Sequence, residues 1–267
     1  MLIGEKHFSS HTYIMGILNV TPDSFSDGGR YNSTDKAVMR VEQMILEGTD
    51  LIDVGGESTR PGYVKISDDE EISRISPIIE KIKANFDIPV SVDTYKSRVA
   101  EAAIQSGADM INDIMGLRYD DAMAGIVKKY DKAVCIMHNR DTDKYSDFMS
   151  DVVSDLAESI DIADRHNILH ERIIIDPGIG FAKSYAQNLE ITDKLDALKV
   201  FGLPILYAAS RKSMIGLALD LPSDQRIEGT LVTTVMAVQK GCLFVRVHDI
   251  KENKRAIIMT EKIMGKI

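Results

Sequence analysis

Asp176 ends a run of three isoleucines, residues 173–175, and is followed at once by Pro177, Gly178 and Gly180. Such a run suits a strand that is apolar on both faces, and the Pro and Gly cannot continue it. A carboxylate is thereby expected at the carboxyl end of a core strand, beside a glycine turn that a ligand can approach closely. Taken alone, an Asp that caps its own loop explains the residue equally well. The same arrangement recurs, however, along the chain. Asp93 ends SVD with Ser91 on its face, Asn112 lies in MIND, and His138 and Asn139 follow VCIM. Asn19 closes an apolar stretch before the loop TPDSFSDGG, and GGESTRPG offers Thr59 and Arg60. Ser210, Arg211, Lys212 and Ser213 follow another apolar stretch.

Two kinds of chemistry are present in this set. Lys212, Arg246, His248, Arg60 and Asn19 form a cationic, donor-rich group in a chain whose net charge is −9. That suits a phosphate or pyrophosphate. Arg246 lies inside LFVRVH, where alternation puts it on one face with His248, and a buried Arg needs an anionic partner. We therefore expect Arg246 to bind a ligand anion. Asp93, Asn112 and Asp176 offer acceptors and an amide, which suit a flat heterocycle with amino and amide edges. A heterocycle with a phosphate tail satisfies both groups.

Apolar runs at 14–20, 51–56, 89–94, 110–114, 133–138, 173–178, 205–210 and 243–248 read as the strands that position these residues. Helical patterns fill 34–47, 68–84, 96–106, 120–130, 148–166, 184–199, 226–240 and 250–264. Ser67 with Glu70 reads as a capping box, Asp249 with Glu252 as a second, and Gly48, Gly107 and Gly241 as helix stops. Eight strand–helix units in 267 residues average about 33 residues each, which predicts a single (β/α)8 TIM barrel with its active face at the strand carboxyl ends. Residues 1–13 read as a short leading hairpin around Gly4. A doubly wound sheet is the runner-up, but no GxGxxG follows the first strand.

Composition narrows the function classes. A chain this acidic lacks the basic surface of a nucleic-acid binder. No apolar run is long enough to span a membrane and the first residues lack a signal-peptide core. Cys135 and Cys242 read as buried free thiols, without metal-ligand or disulfide spacing. A cytoplasmic protein of one domain is expected.

The motifs GILNVTPDSFSDGG (16–29), DVGGESTRPG (53–62), SVDTYK (91–96), INDI (111–114), MHN (137–139), DPGIGFAK (176–183), SRKSMIG (210–216) and RVHD (246–249) occur in the order of the dihydropteroate synthase family. The sequence resembles that family over nearly its whole length. The resemblance implies condensation of 6-hydroxymethyl-7,8-dihydropterin diphosphate with para-aminobenzoate, by diphosphate departure before amine attack. It assigns the pterin to Asp93, Asn112, Asp176 and Lys212, and the diphosphate to Asn19, Thr59, Arg246 and His248. It assigns para-aminobenzoate, and the sulfonamides that compete with it, to Arg60, Pro61, Phe181 and Ser213 beneath the 21–29 loop. Asp93, Lys212 and Arg246 would carry the catalysis. Mg²⁺ is expected at the diphosphate, with Asn19 as the one protein ligand and the remainder from phosphate and water. A homodimer is implied only by the resemblance.

Rival readings are a methyltetrahydrofolate-dependent methyltransferase, which has little use for the cationic group, and a pterin-binding protein without activity. Residue by residue, plainer roles are expected for several others. Asp53, Asp113 and Asp249 read as helix or loop caps, His138 as packed rather than catalytic, and Met115 and Met137 as core filling. The loop RDTDKYSD, 140–147, has no reading.

Overall fold

A computed structural model describes residues 1–20, 33–58 and 64–267. The chain opens with an antiparallel hairpin, β1 (Leu2–Ile3) and β2 (Lys6–His7), turned at Gly4 with φ +59°. Strands and helices then alternate: β3 (Tyr13–Asn19), α1 (Ser33–Glu47), β4 (Leu51–Gly55), α2 (Asp68–Asn85), β5 (Val90–Asp93), α3 (Ser97–Gln105), β6 (Met110–Asp113) and α4 (Met123–Lys129). They continue as β7 (Ala133–Met137), α5 (Phe148–Arg165), β8 (Ile173–Asp176), α6 (Tyr185–Asp193), β9 (Leu206–Tyr207), α7 (Ser213–Leu219), α8 (Ile227–Gln239), β10 (Phe244–Val247) and α9 (Ile250–Ile263).

Strands β3 to β10 form one parallel sheet in the order β8-β7-β6-β5-β4-β3-β10-β9, and a single parallel bridge from Ile175 to Ile205 closes the ring. This is the predicted (β/α)8 barrel. Period-two alternation sorts the strand residues. Ile52, Val54, Val90, Val92, Ile111, Val134, Ile136, Ile173, Ile175, Val245 and Val247 join the core shared with the helices. Their alternates Met15, Leu51, Met110, Cys135, Ile174 and Phe244 fill the amino-terminal end of the barrel, together with Ile3 and Phe8 from the hairpin side. Phe8 packs against Phe244 with the rings tilted and their centroids 5.2 Å apart, so the opening segment plugs the end opposite the site. One step further along the same inward series come Asp53, Asp93, Asn112, Asp176 and Arg246. Apolar residues fill the lower barrel and polar ones line its mouth.

Local details depart from expectation where tertiary contacts intervene. Ser67 caps α2 by accepting from the Glu70 amide at 3.2 Å, but the Glu70 carboxylate pairs with Arg74 instead of returning to the cap. Asp249 makes no side-chain cap on α9, because its carboxylate is taken by Arg211. The helix expected over 120–130 starts later, at Met123: Asp120 accepts from the Ser97 amide at 3.0 Å and so belongs to the start of α3. The helix expected over 184–199 ends at Asp193 and passes into a 3-10 segment, Leu195–Phe201, that Gly202 stops at φ +64°. The strand expected over 205–210 is reduced to two residues, and that over 173–178 ends at Asp176. Gly48, Gly107 and Gly241 each follow a helix with positive φ, as expected.

Candidate active site

Strand register stacks the mouth into a ring. Asn19 pairs with Gly55, Gly55 with Asp93, and Asp93 with Asn112, so four successive strands bring these positions to one level. Gly55 lies between Asn19 and Asp93, and a Cβ placed there would meet both at ordinary contact distances.

Arg246 dominates the electrostatics at this level. Its Nε donates to Asp53 Oδ2 at 2.6 Å and its Nη2 to Asp93 Oδ2 at 2.7 Å. Asp53 Oδ2 also accepts from Asn112 Nδ2 at 3.1 Å. The anionic partner expected for Arg246 is thus supplied within the chain, by two carboxylates, and its Nη1 makes no hydrogen bond among the described residues. Asp53 is fully buried; reading it as a cap was wrong, since it sits inside the barrel between Arg246 and Asn112. Lone acids at strand ends look alike in sequence, and only the inward register separates Asp53 from Asp113. The latter does cap a turn, accepting from the amides of Met115 and Leu117, both at 2.8 Å.

Two oxygens in this cluster, Asp53 Oδ1 and Asp93 Oδ1, are buried without a hydrogen-bond partner among the described residues. Such atoms are costly unless something donates to them. Burial, reinforced by the charges of Asp53 and Glu71 against the opposing pull of Arg246, pushes the Asp93 carboxyl up to about 7. Asp176, also buried, accepts from the Gly178 amide at 2.6 Å, and desolvation raises its carboxyl above the usual range despite the nearby Lys212.

Lys212 precedes α7 and donates to the Ile179 carbonyl, with its Nζ 4.8 Å from the centre of the Phe181 ring. Burial lowers its ammonium to about 8, opposed by Asp176 and Asp93. Phe181 packs against a small rim cluster of Tyr95, Ile114 and Met137, with Met115 beside it. Ser213 begins α7 exposed, next to Lys212. His248 Nδ1 lies 3.0 Å from Ser210 Oγ, beyond the end of β10. Asn19, Asp93, Asn112, Asp176, Lys212, Phe181, Ser213, Arg246 and His248 therefore all stand at the carboxyl ends of the strands. Thr59, Arg60, Pro61 and the 21–29 loop lie outside the described residues.

His138 is packed, as expected. Its Nε2 is 2.9 Å from Asp155 Oδ2 and its Nδ1 is 2.8 Å from Lys183 Nζ, while burial drives its basicity down to about 3. Lys183 went unnoticed in the sequence because a lysine after a glycine turn ordinarily marks solvated surface. Its one early signal was its place inside DPGIGFAK.

Among the described residues no group of three or more His, Cys, Asp or Glu is placed to hold a metal ion. Asn19 offers a single amide oxygen at the mouth. That donor set fits a Mg²⁺ that arrives with a diphosphate and keeps its waters, not an all-protein cage.

A parallel barrel whose mouth carries half-paired buried acids, an amide and two cations defines an enzyme for a small polar heterocycle bearing an anionic group. Comparison with known proteins narrows the class. Residues 15–248 match the family described as pterin binding enzyme. A dihydropteroate synthase of Clostridium beijerinckii is 57% identical over 267 residues, covering 99% of each chain. The solved dihydropteroate synthase of Clostridium difficile, obtained with pteroic acid, superposes with a TM-score of 0.93 at 48% identity, covering 96% of this chain and 98% of that one. That of Yersinia pestis, a sulfonamide drug complex, gives a TM-score of 0.92 at 36% identity, covering 100% of this chain and 99% of the other. The chain belongs to the dihydropteroate synthase family of pterin-binding barrel enzymes.

Proposed function

We propose that this chain, acting as a single domain, condenses 6-hydroxymethyl-7,8-dihydropterin diphosphate with para-aminobenzoate to give 7,8-dihydropteroate and pyrophosphate. The observation that carries the reading is the pair of buried, unpartnered oxygens on Asp53 and Asp93, beside Asn112 and Asp176. The ring N–H and amino groups of a pterin are donors of the kind these acceptors lack. Arg246 Nη1, Lys212, His248 and Asn19 supply cation and donor groups for the diphosphate, and Thr59 completes them in the family pattern.

Loss of pyrophosphate before amine attack leaves positive charge on the pterin methylene. Asp93, already ionised in the field of Arg246 above about pH 7, stabilises that charge. Arg246 and Lys212 stabilise the charge that builds on the departing oxygens. Mg²⁺ bound with the diphosphate would supply further charge neutralisation, with Asn19 as its protein ligand. No nucleophile–base pair is required, since the arylamine is itself the nucleophile. Arg60, Pro61, Phe181 and Ser213 form the para-aminobenzoate pocket in this reading, which is also where sulfonamides compete.

The remaining parts of the proposal are a homodimer and a cytoplasmic location. Leu217, Leu219, Val232 and Ile258, exposed on the neighbouring helices α7, α8 and α9, offer apolar area for a symmetric contact. The free, buried thiols of Cys135 and Cys242 suit a reducing compartment, and no described helix is long and apolar enough to cross a membrane.

The test is pyrophosphate release from the dihydropterin diphosphate in the presence of Mg²⁺. Release that requires para-aminobenzoate and is suppressed by a sulfonamide supports the reading. Silence from folded protein given both substrates overturns it.

A further inference from the structure

The turn after β8 is held largely by side chains, some its own and some from other elements. Lys183 Nζ donates to the carbonyls of Gly178 at 3.0 Å and Phe181 at 3.1 Å. Lys212 takes the carbonyl of Ile179, and Tyr145 Oη donates to that of Ala182 at 2.8 Å. Asn188 Oδ1 receives the Gly180 amide at 2.6 Å. The backbone within this turn is left-handed at Gly178, Gly180 and Ala182, with φ of +71°, +82° and +44°. A side chain at Gly178 would collide with the His138 carbonyl oxygen. Left-handed Ala is disfavoured, so the conformation persists only because its surroundings impose it.

Lys183 is the centre of that imposition. An ammonium has three N–H donors, and here each has an acceptor: Gly178 O, Phe181 O and His138 Nδ1. The third acceptor is itself prepared. Arg140 grips Asp155 through Nε and Nη2, and Asp155 accepts from His138 Nε2. That fixes the tautomer with the proton on Nε2 and leaves Nδ1 free to accept. The uninterpreted 140–147 loop is thus the brace behind the turn, supplying Arg140 and Tyr145.

We infer that Lys183 is a positioning residue that sets Phe181 for the arylamine, acting through the two turn carbonyls and backed by the His138–Asp155–Arg140 chain. The inference rests on the proposed function, because it assigns Phe181 to the para-aminobenzoate pocket. All three donors of Lys183 are taken within the protein, which leaves none for a reactant. Its neighbours in charge are Asp176 at the end of β8, Lys212 before α7, Asp155 on α5 and Arg140 ahead of it, and burial draws its ammonium down to about 7 against the two carboxylates.

Lys183→Met removes all three donors. In the pyrophosphate-release assay it should raise KM for para-aminobenzoate about tenfold, as small misplacements of a binding group do, with KM for the pterin diphosphate changed less than about twofold. Combined with Phe181→Ala, it should add less than about twofold to the KM of Phe181→Ala alone, since residues acting through one another are not additive. If Lys183→Met does not fold, Lys183→Gln keeps two donors and should show the same pattern at smaller size. Additive effects, equal rises in both KM values, or a lower Tm with both KM values unchanged would each overturn the inference. Wild-type protein run in parallel separates the two readings: amine-dependent release with a failed cycle removes only the role of Lys183, whereas no release removes the proposed function.

Discussion

Arg246 on β10 reaches past β3 to place its Nε 2.6 Å from Asp53 Oδ2 on β4. The same guanidinium holds Asp93 on β5. One cation therefore ties together three strands at the level where substrate is expected to sit.

Removing that cation leaves two buried carboxylates facing each other. Arg246→Ala should destabilise the fold by about 3–5 kcal/mol, the usual cost of breaking a buried pair from one side. Urea unfolding measures this. In calorimetry at a temperature where the variant is folded, affinity for the dihydropterin diphosphate should fall far more than affinity for a pterin without phosphates. Equal losses would assign Arg246 to the scaffold alone.

Asp176→Ala should weaken pterin binding by about 10- to 100-fold, the worth of hydrogen bonds to a charged group. Direct titration with a pterin lacking the diphosphate isolates the effect from the cationic groups. Unchanged affinity would move the pterin away from β8.

Asp93 gives a pH dependence with a definite sign. Its folded carboxyl is raised from the ordinary 3.8 to about 7, chiefly by burial. Between those values the folded state holds a proton that the unfolded state has released, so the contribution of this group to stability decreases as pH rises through that window and is level above it. Turnover should move the opposite way and fall below about pH 7, because the neutral acid no longer stabilises a cation. Melting curves from pH 4 to 8 should have a smaller slope in Asp93→Asn, which does not titrate. Identical slopes would contradict the assignment.

Lys96 lies outside the reacting groups and should report on scaffold stability. Its Nζ is 2.8 Å from both Glu57 Oε2 and Glu71 Oε2, and 2.9 Å from the Ile66 carbonyl, so it ties α2 to the segments after β4 and β5. Lys96→Met should cost about 3–5 kcal/mol by stranding two buried acids. Adding Glu57→Gln and Glu71→Gln should recover much of it, as read from urea midpoints. A triple variant no more stable than Lys96→Met would mean that lost packing dominates.

Much of the barrel was legible in the sequence because its physics is local. Apolar runs such as residues 173–175 can only be buried on both faces, and eight of them at regular spacing leave few architectures. Period two then decides that Asp93, Asn112 and Asp176 share the inward face with Arg246, whatever the details of closure. Where packing competes with local preference, the sequence was silent or misleading: Asp249 had the spacing of a cap, yet Arg211 claims its carboxylate. Strand β9 pairs with β10 through only two residues, and the ring closes beside it by a single bridge, a feature of barrel closure that no local pattern shows.

The site divides in the same way. Residue type and strand position were sufficient for the acids, the amide and the cations at the mouth, since an ionisable group at the end of a buried strand has few other uses. Partnership was decided only by the fold. Asp53 became the acceptor for both Arg246 and Asn112 because the barrel brings positions 53, 112 and 246 within hydrogen-bond reach across its interior. Lys183 became the clamp of its own turn because α5 delivers Asp155, and through it an oriented His138, to the third of its donors. Contacts between positions so far apart in the chain leave no periodic trace, so three-dimensional closure alone could create them.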